Sequence, residues 1–119
     1  DAISHAAVTT ALDLNAKYII TGTKSGNTAK LLSRYRPGCD IIACTTHDYV
    51  ARQMNLSWGV TPIIVEEKTD PFELIDHTVD KLIDKGLLQI EDKVVYTGGV
   101  PLGVSGTTNM IKVHVVGRK

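Results

Sequence analysis

The stretch Ile19-Ile20-Thr21-Gly22-Thr23-Lys24-Ser25-Gly26-Asn27-Thr28 decides how the rest of the chain is read. Its apolar run ends in glycines and hydroxylated residues, and a helical pattern opens at Thr28-Ala29-Lys30-Leu31-Leu32. A strand, a tight loop and a helix start in that order present unpaired backbone N–H groups at the positive end of a helix dipole, where an anion is favoured. Thr23, Ser25 and Thr28 add hydroxyls, and Lys24 adds an ammonium. These residues are an inventory for holding a phosphate, and the remaining chain is expected to scaffold them.

Upstream, Asp1 to about Asn15 reads as a helix, with Ile3, Ala7, Ala11 and Leu14 at three- and four-residue spacing and His5 on its surface. Lys17 to Gly22 is the first strand. Its continuous apolar run suits a central parallel strand covered on both faces. Downstream, Thr28 to Tyr35 forms a second helix and Pro37-Gly38 a turn. Ile41 to Thr45 forms a second strand, and Thr45-Thr46-His47-Asp48 caps a helix through Met54. A third strand lies within Gly59 to Glu66, and its Pro62 favours an edge position or a strand start. Asp70-Pro71-Phe72-Glu73 opens a helix with Phe72, Ile75, Val79, Leu82 and Ile83 on its apolar face, ended by Gly86. Val94-Val95-Tyr96-Thr97 is the fourth strand, and a glycine-rich loop runs from Gly98 to Asn109. Met110 to Val116 closes the chain as an edge strand, with Ile111, Val113 and Val115 alternating with outward Lys112 and His114.

Four strands alternating with helices predict a parallel α/β sheet with right-handed crossovers. The fourth and fifth strands are joined by about a dozen residues without a helical pattern, too little for a parallel return, so the fifth strand is expected to run antiparallel. Both the 21–28 and 98–109 loops then sit at carboxyl ends of strands, the edge where doubly wound sheets bind ligands. If the first and fourth strands are neighbours, the loops face each other across one site. Neither loop carries a Walker or a dinucleotide fingerprint.

The composition bounds the rest. A chain of 119 residues predicts one domain, and its 43% hydrophobic share supports a core filled mainly by aliphatic residues. Lys plus Arg and Asp plus Glu both total 13, so the balance gives no support for a nucleic-acid or other polyanionic partner, and no apolar run reaches membrane-spanning length. Cys39 and Cys44 flank the second strand and are expected as reduced thiols of a cytoplasmic protein. Cys44, at a strand end near a helix start, is read as a half-buried structural thiol rather than one of lowered pKa. His47 and His77 are read as surface residues, and Trp58 as a packing residue. The histidines lack metal-ligand spacing, and no nucleophile–base–acid set emerges, so an independent enzyme using Cys44 or His47 is disfavoured. The chain opens on Asp1 and at once on a helical pattern, as expected of a processed chain or a piece of a longer protein.

The run IITGTKSGNTAKLLSRYRPGCDII (19–42) resembles the carboxy-terminal domain of pyruvate kinase. So do WGVTPIIVEE (58–67), DKGLLQIEDKVVYTGGVPLGVSGTTN (84–109) and MIKVHVV (110–116), in order over essentially the whole chain, and the ending is similar to the bacterial branch. The resemblance implies a three-layer αβα fold with a five-stranded mixed sheet of order 3-2-1-4-5, the last strand antiparallel. It implies an allosteric, effector-binding and oligomerising domain of a tetrameric glycolytic enzyme that transfers phosphate from phosphoenolpyruvate to ADP. The catalytic barrel of that enzyme is not represented in this sequence. No catalytic residue, metal ligand or cofactor is therefore expected here, and the Mg²⁺ and K⁺ of the reaction are expected in the parent enzyme.

The family's phosphate loop maps onto Thr23, Lys24, Ser25, Gly26, Asn27 and Thr28. Its effector loop maps onto 99–109, with Gly103, Ser105, Gly106 and Thr107 facing the ligand. Members activated by fructose 1,6-bisphosphate often hold the second phosphate with an arginine from the helix after the third strand. Here Leu74 falls near that place and an upstream tryptophan is missing. AMP or ribose 5-phosphate is thus an alternative to fructose 1,6-bisphosphate. The contrasting expectation is a mainly structural interface domain without a working effector site.

Overall fold

Unbroken apolar runs form the strands because both faces of this sheet are covered. The structure is a computed structural model, and it describes residues 2–22, 27–35, 38–55, 59–65, 71–98 and 110–117. The elements in chain order are α1 (Ala2–Leu14), β1 (Tyr18–Gly22), α2 (Asn27–Arg34), β2 (Asp40–Thr45), α3 (Asp48–Met54), β3 (Val60–Ile64), α4 (Pro71–Asp84), β4 (Lys93–Gly98) and β5 (Met110–Val115). The sheet order is β3-β2-β1-β4-β5. β1 pairs parallel with both β2 and β4, β2 pairs parallel with β3, and β5 runs antiparallel to β4. This is the expected architecture, with Gly98 closing β4 rather than opening the loop.

Side chains alternate across the strands into two cores. Ile19, Ile41, Ala43, Val60 and Val95 pack with Ala7, Val8 and Ala11 of α1, Ala29 and Leu32 of α2, and Val50 and Met54 of α3. The opposite residues, Ile20, Ile42, Cys44, Ile63, Val94 and Tyr96, pack with Leu74, Ile75, Val79 and Leu82 of α4. Three helices thus cover one face and α4 the other.

The α4 stripe differs from the expected one. Leu74 and Thr78 face the core, whereas Phe72 and Ile83 are 51% and 41% exposed. The stripe is turned by roughly 60° at 100° per residue. The Thr78 hydroxyl lies 3.3 Å from Cys44 Sγ, a contact the expected orientation would lose.

The ends of two helices follow from local chemistry. Asn15 (φ 54°) and Gly86 (φ 75°) adopt the left-handed conformation. Ala16 N donates to Ala11 O and Asn15 N to Leu12 O, while Leu87 N donates to Leu82 O and Gly86 N to Ile83 O. These are Schellman closures, for which Gly and Asn carry the least steric cost.

At the β3 edge, Ile41 N donates to Gly59 O at 2.8 Å and Val65 N to Thr45 O at 2.9 Å. Alternate residues from 59 to 65 therefore face β2, and Pro62, which has no N–H, falls among those facing the open edge. Lys81 Nζ donates to Ile64 O at that edge, 3.3 Å away. β5 lies at the other edge. Instead of one solvated face, it is half-buried on both, with Ile111 against the first core and Met110 against the second, and Val113 exposed. No helix among the described residues is long and apolar enough to cross a membrane.

Candidate functional site

The two connections singled out in the sequence begin at the carboxyl edge of the sheet. The β1–α2 connection leaves the sheet at Gly22 and rejoins the described chain at Asn27, and the β4–β5 connection leaves at Gly98 and returns at Met110. Thr21 of β1 is register partner of Thr97 of β4, so the two connections spring from adjacent strands, about 4.8 Å apart. Thr23, Lys24, Ser25 and Gly26 lie outside the described residues, as do Gly103, Ser105, Gly106 and Thr107. Asn27 and Thr28 open α2, and their side chains also lie outside the description. The first turn of α2 carries no acidic residue, so nothing there offsets the positive end of its dipole.

The interior beneath this edge is unusually polar for a core. Thr21, Thr97 and Tyr96 are buried, and their hydroxyls have no hydrogen-bond partner among the described residues. Thr21 and Thr97 are on the α1 face, while Tyr96 is on the α4 face. The sequence marks Tyr96 only as one member of an apolar run. Its hydroxyl lies over Gly98, two residues on along the same face, where an added Cβ would come within 2.5 Å of it. A Tyr-x-Gly at the end of a strand is the signal for this arrangement.

Burial pushes the Tyr96 phenol up to about 12, with the charge of nearby Cys44 adding to the effect. Burial likewise pushes the Cys44 thiol up to about 11, while the hydrogen bond with Thr78 and the charge of Lys81 partly offset it. Cys44 is therefore buried rather than half-buried, and its surroundings raise its pKa rather than lower it. Its folded value lies above the unfolded one, so its contribution to stability is present below pH 9 and is lost as pH rises through 11. Stability should fall by about 1 kcal/mol between about pH 8 and 10 from this group. Urea midpoints across that range should show a smaller slope in Cys44→Ala.

The remaining candidates are placed elsewhere or contribute little. His47 is half-buried against the ring of Tyr49 (centroids 5.4 Å apart), and its backbone N–H donates to Thr45 Oγ1. His5 is exposed on α1 beside Tyr35, while His77 is half-buried. Trp58 lies outside the described residues. His114 does not point freely outward. It lines a groove of about 710 Å³ between α4 and β5, with Phe72, Ile75, Asp76 and Lys112. Burial and then Lys112 lower its pKa, against the pull of Asp76. Leu74 is 4% exposed within the second core and presents nothing to a ligand.

The comparisons with known proteins agree over nearly the whole chain. The family described as "Pyruvate kinase, alpha/beta domain" matches residues 1–114. The pyruvate kinase of Clostridium acetobutylicum is 49% identical over 116 residues, covering 98% of this chain and 24% of that protein. That of Staphylococcus aureus is 41% identical over 117 residues, covering 98% of this chain and 20% of that protein. A crystal structure of a Cryptosporidium parvum pyruvate kinase superposes with a TM-score of 0.87 at 34% identity, over 96% of this chain and 22% of that one. A second structure of the Cryptosporidium parvum enzyme, in complex with ADP, gives a TM-score of 0.86 at 33% identity. The chain thus spans about a fifth to a quarter of the length of these relatives. With its sheet order, its antiparallel last strand and these matches in agreement, the chain belongs to the pyruvate kinase alpha/beta domain family.

Proposed function

We propose that this chain is the regulatory domain of a cytoplasmic pyruvate kinase, binding a phosphorylated metabolite at the carboxyl edge of the sheet. The observation that carries the reading is the adjacency of β1 and β4, which brings the β1–α2 and β4–β5 connections to one edge beside an acid-free helix N-terminus. Thr23, Ser25 and Thr28 supply hydroxyls, Lys24 a charge, and the 99–109 segment the opposing wall. Hydrogen bonds to a charged phosphate contribute roughly 1.5–3 kcal/mol each. Micromolar binding needs about 8 kcal/mol, so three or four such bonds with the loop amides suffice after ordering costs. Phosphoryl transfer, with its Mg²⁺ and K⁺, belongs to the rest of the enzyme. No cluster among the described residues fits a metal ion, and no step of that reaction is placed here.

A thermal-shift series with fructose 1,6-bisphosphate, AMP, ribose 5-phosphate and glucose 6-phosphate ranks the effectors, because stabilisation grows with concentration over Kd. With Leu74 in the core rather than at the edge, one phosphate position is supported, and a monophosphate is expected to rival the bisphosphate. By calorimetry, Thr23→Ala with Ser25→Ala should weaken the best binder at least tenfold, a loss of about 1.4 kcal/mol. Unchanged affinity in that double variant would sink the assigned site.

One observation favours a second, compatible role. β5 leaves one edge of the sheet unpaired by any described strand, with Val113 exposed on it. Such an edge is a template for another chain, here a second subunit. Sedimentation of a stable monomer at high concentration would count against homo-oligomerisation through this domain.

A further inference from the structure

Tyr96 is set apart from the rest of the second core. Its side chain is 0% exposed, packed in the cluster that α4 covers, yet Oη has no hydrogen-bond partner among the described residues. Gly98 fixes where that atom lies. A Cβ built there would be 2.5 Å from Oη, 3.0 Å from Cζ and 3.3 Å from Cε2. The phenol therefore runs along β4 toward the carboxyl edge, and its hydroxyl ends beside Gly98, the last described residue before the β4–β5 connection. Nearby Cys44 is already engaged with Thr78 at 3.3 Å. Burial keeps the phenol protonated, so it is a donor throughout the physiological range.

A buried donor without an acceptor is unfavourable, and native structures rarely keep one without a reason. Any state that supplies an acceptor is favoured by the penalty it removes. The hydroxyl lies on the edge where a phosphate ester is proposed to bind, and the anionic group of a phosphate ester brings strong acceptor oxygens. We infer that Tyr96 is a positioning residue for that ligand: its hydroxyl, without a partner among the described residues, gains an acceptor when the edge is occupied. The inference rests on the proposed effector site. It supplies what coupling requires, a group whose free energy differs between the two states.

Tyr96→Phe tests it because the two readouts should move in opposite directions. In the 119-residue chain without ligand, removing a hydroxyl that lacks a partner should raise Tm by about 2–5 °C. Affinity for the strongest of the four phosphate esters named above, measured by calorimetry, should fall about tenfold, the size of one hydrogen bond. Unchanged affinity with raised Tm would overturn the inference and leave the effector site standing. Lowered Tm with unchanged affinity would also overturn it, since the hydroxyl then already has a partner such as an ordered water. If the unsubstituted chain binds none of the four esters, the effector site itself fails and takes the inference with it.

Discussion

Leu82→Ala is expected to lower the stability of the chain by about 3 kcal/mol, within the range of about 2–5 kcal/mol for emptying a well-packed leucine site. Leu82 is 1% exposed and sits in α4, the one described helix that covers its face of the sheet. Alanine removes the transfer free energy of the lost carbons, and the strands beneath cannot collapse into the space. Domains are held by about 5–15 kcal/mol, so this one change removes a large share. Its neighbour gives the contrast. Ile83 is 41% exposed at the rim of the α4–β5 groove, and Ile83→Ala should cost under about 1 kcal/mol. Urea midpoints at constant slope measure both. Equal losses would mean that α4 is turned toward the Phe72–Ile83 stripe, contrary to the structure.

That pair also shows where the sequence stops being sufficient. Residues 72, 75, 79, 82 and 83 satisfy helical periodicity as well as 74, 75, 78, 79 and 82 do. Periodicity counts Thr78 as polar and leaves it outside. The fold admits it because Cys44 lies opposite and the two can share a hydrogen bond. A contact between residues thirty-four positions apart leaves no trace in local spacing. The strands were legible for the opposite reason. Ile19-Ile20, Ile41-Ile42 and Val94-Val95 each supply one residue to either core, and only a sheet covered on both faces uses such runs.

The strand ends that flank the proposed site were legible in the sequence. The helix-free connection between β4 and β5 required an antiparallel return, which put Gly98 and Met110 at the same edge as Gly22. The strand order came from the family resemblance and is the order found. What escaped was the overlap of Tyr96 and Gly98. Alternation places both on one face, but not how far along the strand a phenol reaches. Reading Gly98 as a loop residue hid its place in the ladder.

Gly98→Ala is accordingly expected to cost about 1–3 kcal/mol, the usual range for overpacking. Its backbone is not in the left-handed region, so conformational freedom is not the reason for glycine there. The obstacle is steric. The new Cβ would lie 2.5 Å from Tyr96 Oη and 3.0 Å from Cζ, and the ring is rigid and fully enclosed. Tyr96 must tilt, and its neighbours in the second core must move with it. A double-mutant cycle isolates the contact. Tyr96→Phe removes the atom nearest the new Cβ and leaves the 3.0 Å and 3.3 Å contacts to ring carbons. Gly98→Ala should therefore be less costly when combined with Tyr96→Phe, with a coupling of about 1 kcal/mol that distant sites do not show. Additive losses in the four unfolding curves would place the cost of Gly98→Ala elsewhere, and would remove the geometric ground for setting the Tyr96 hydroxyl at the carboxyl edge.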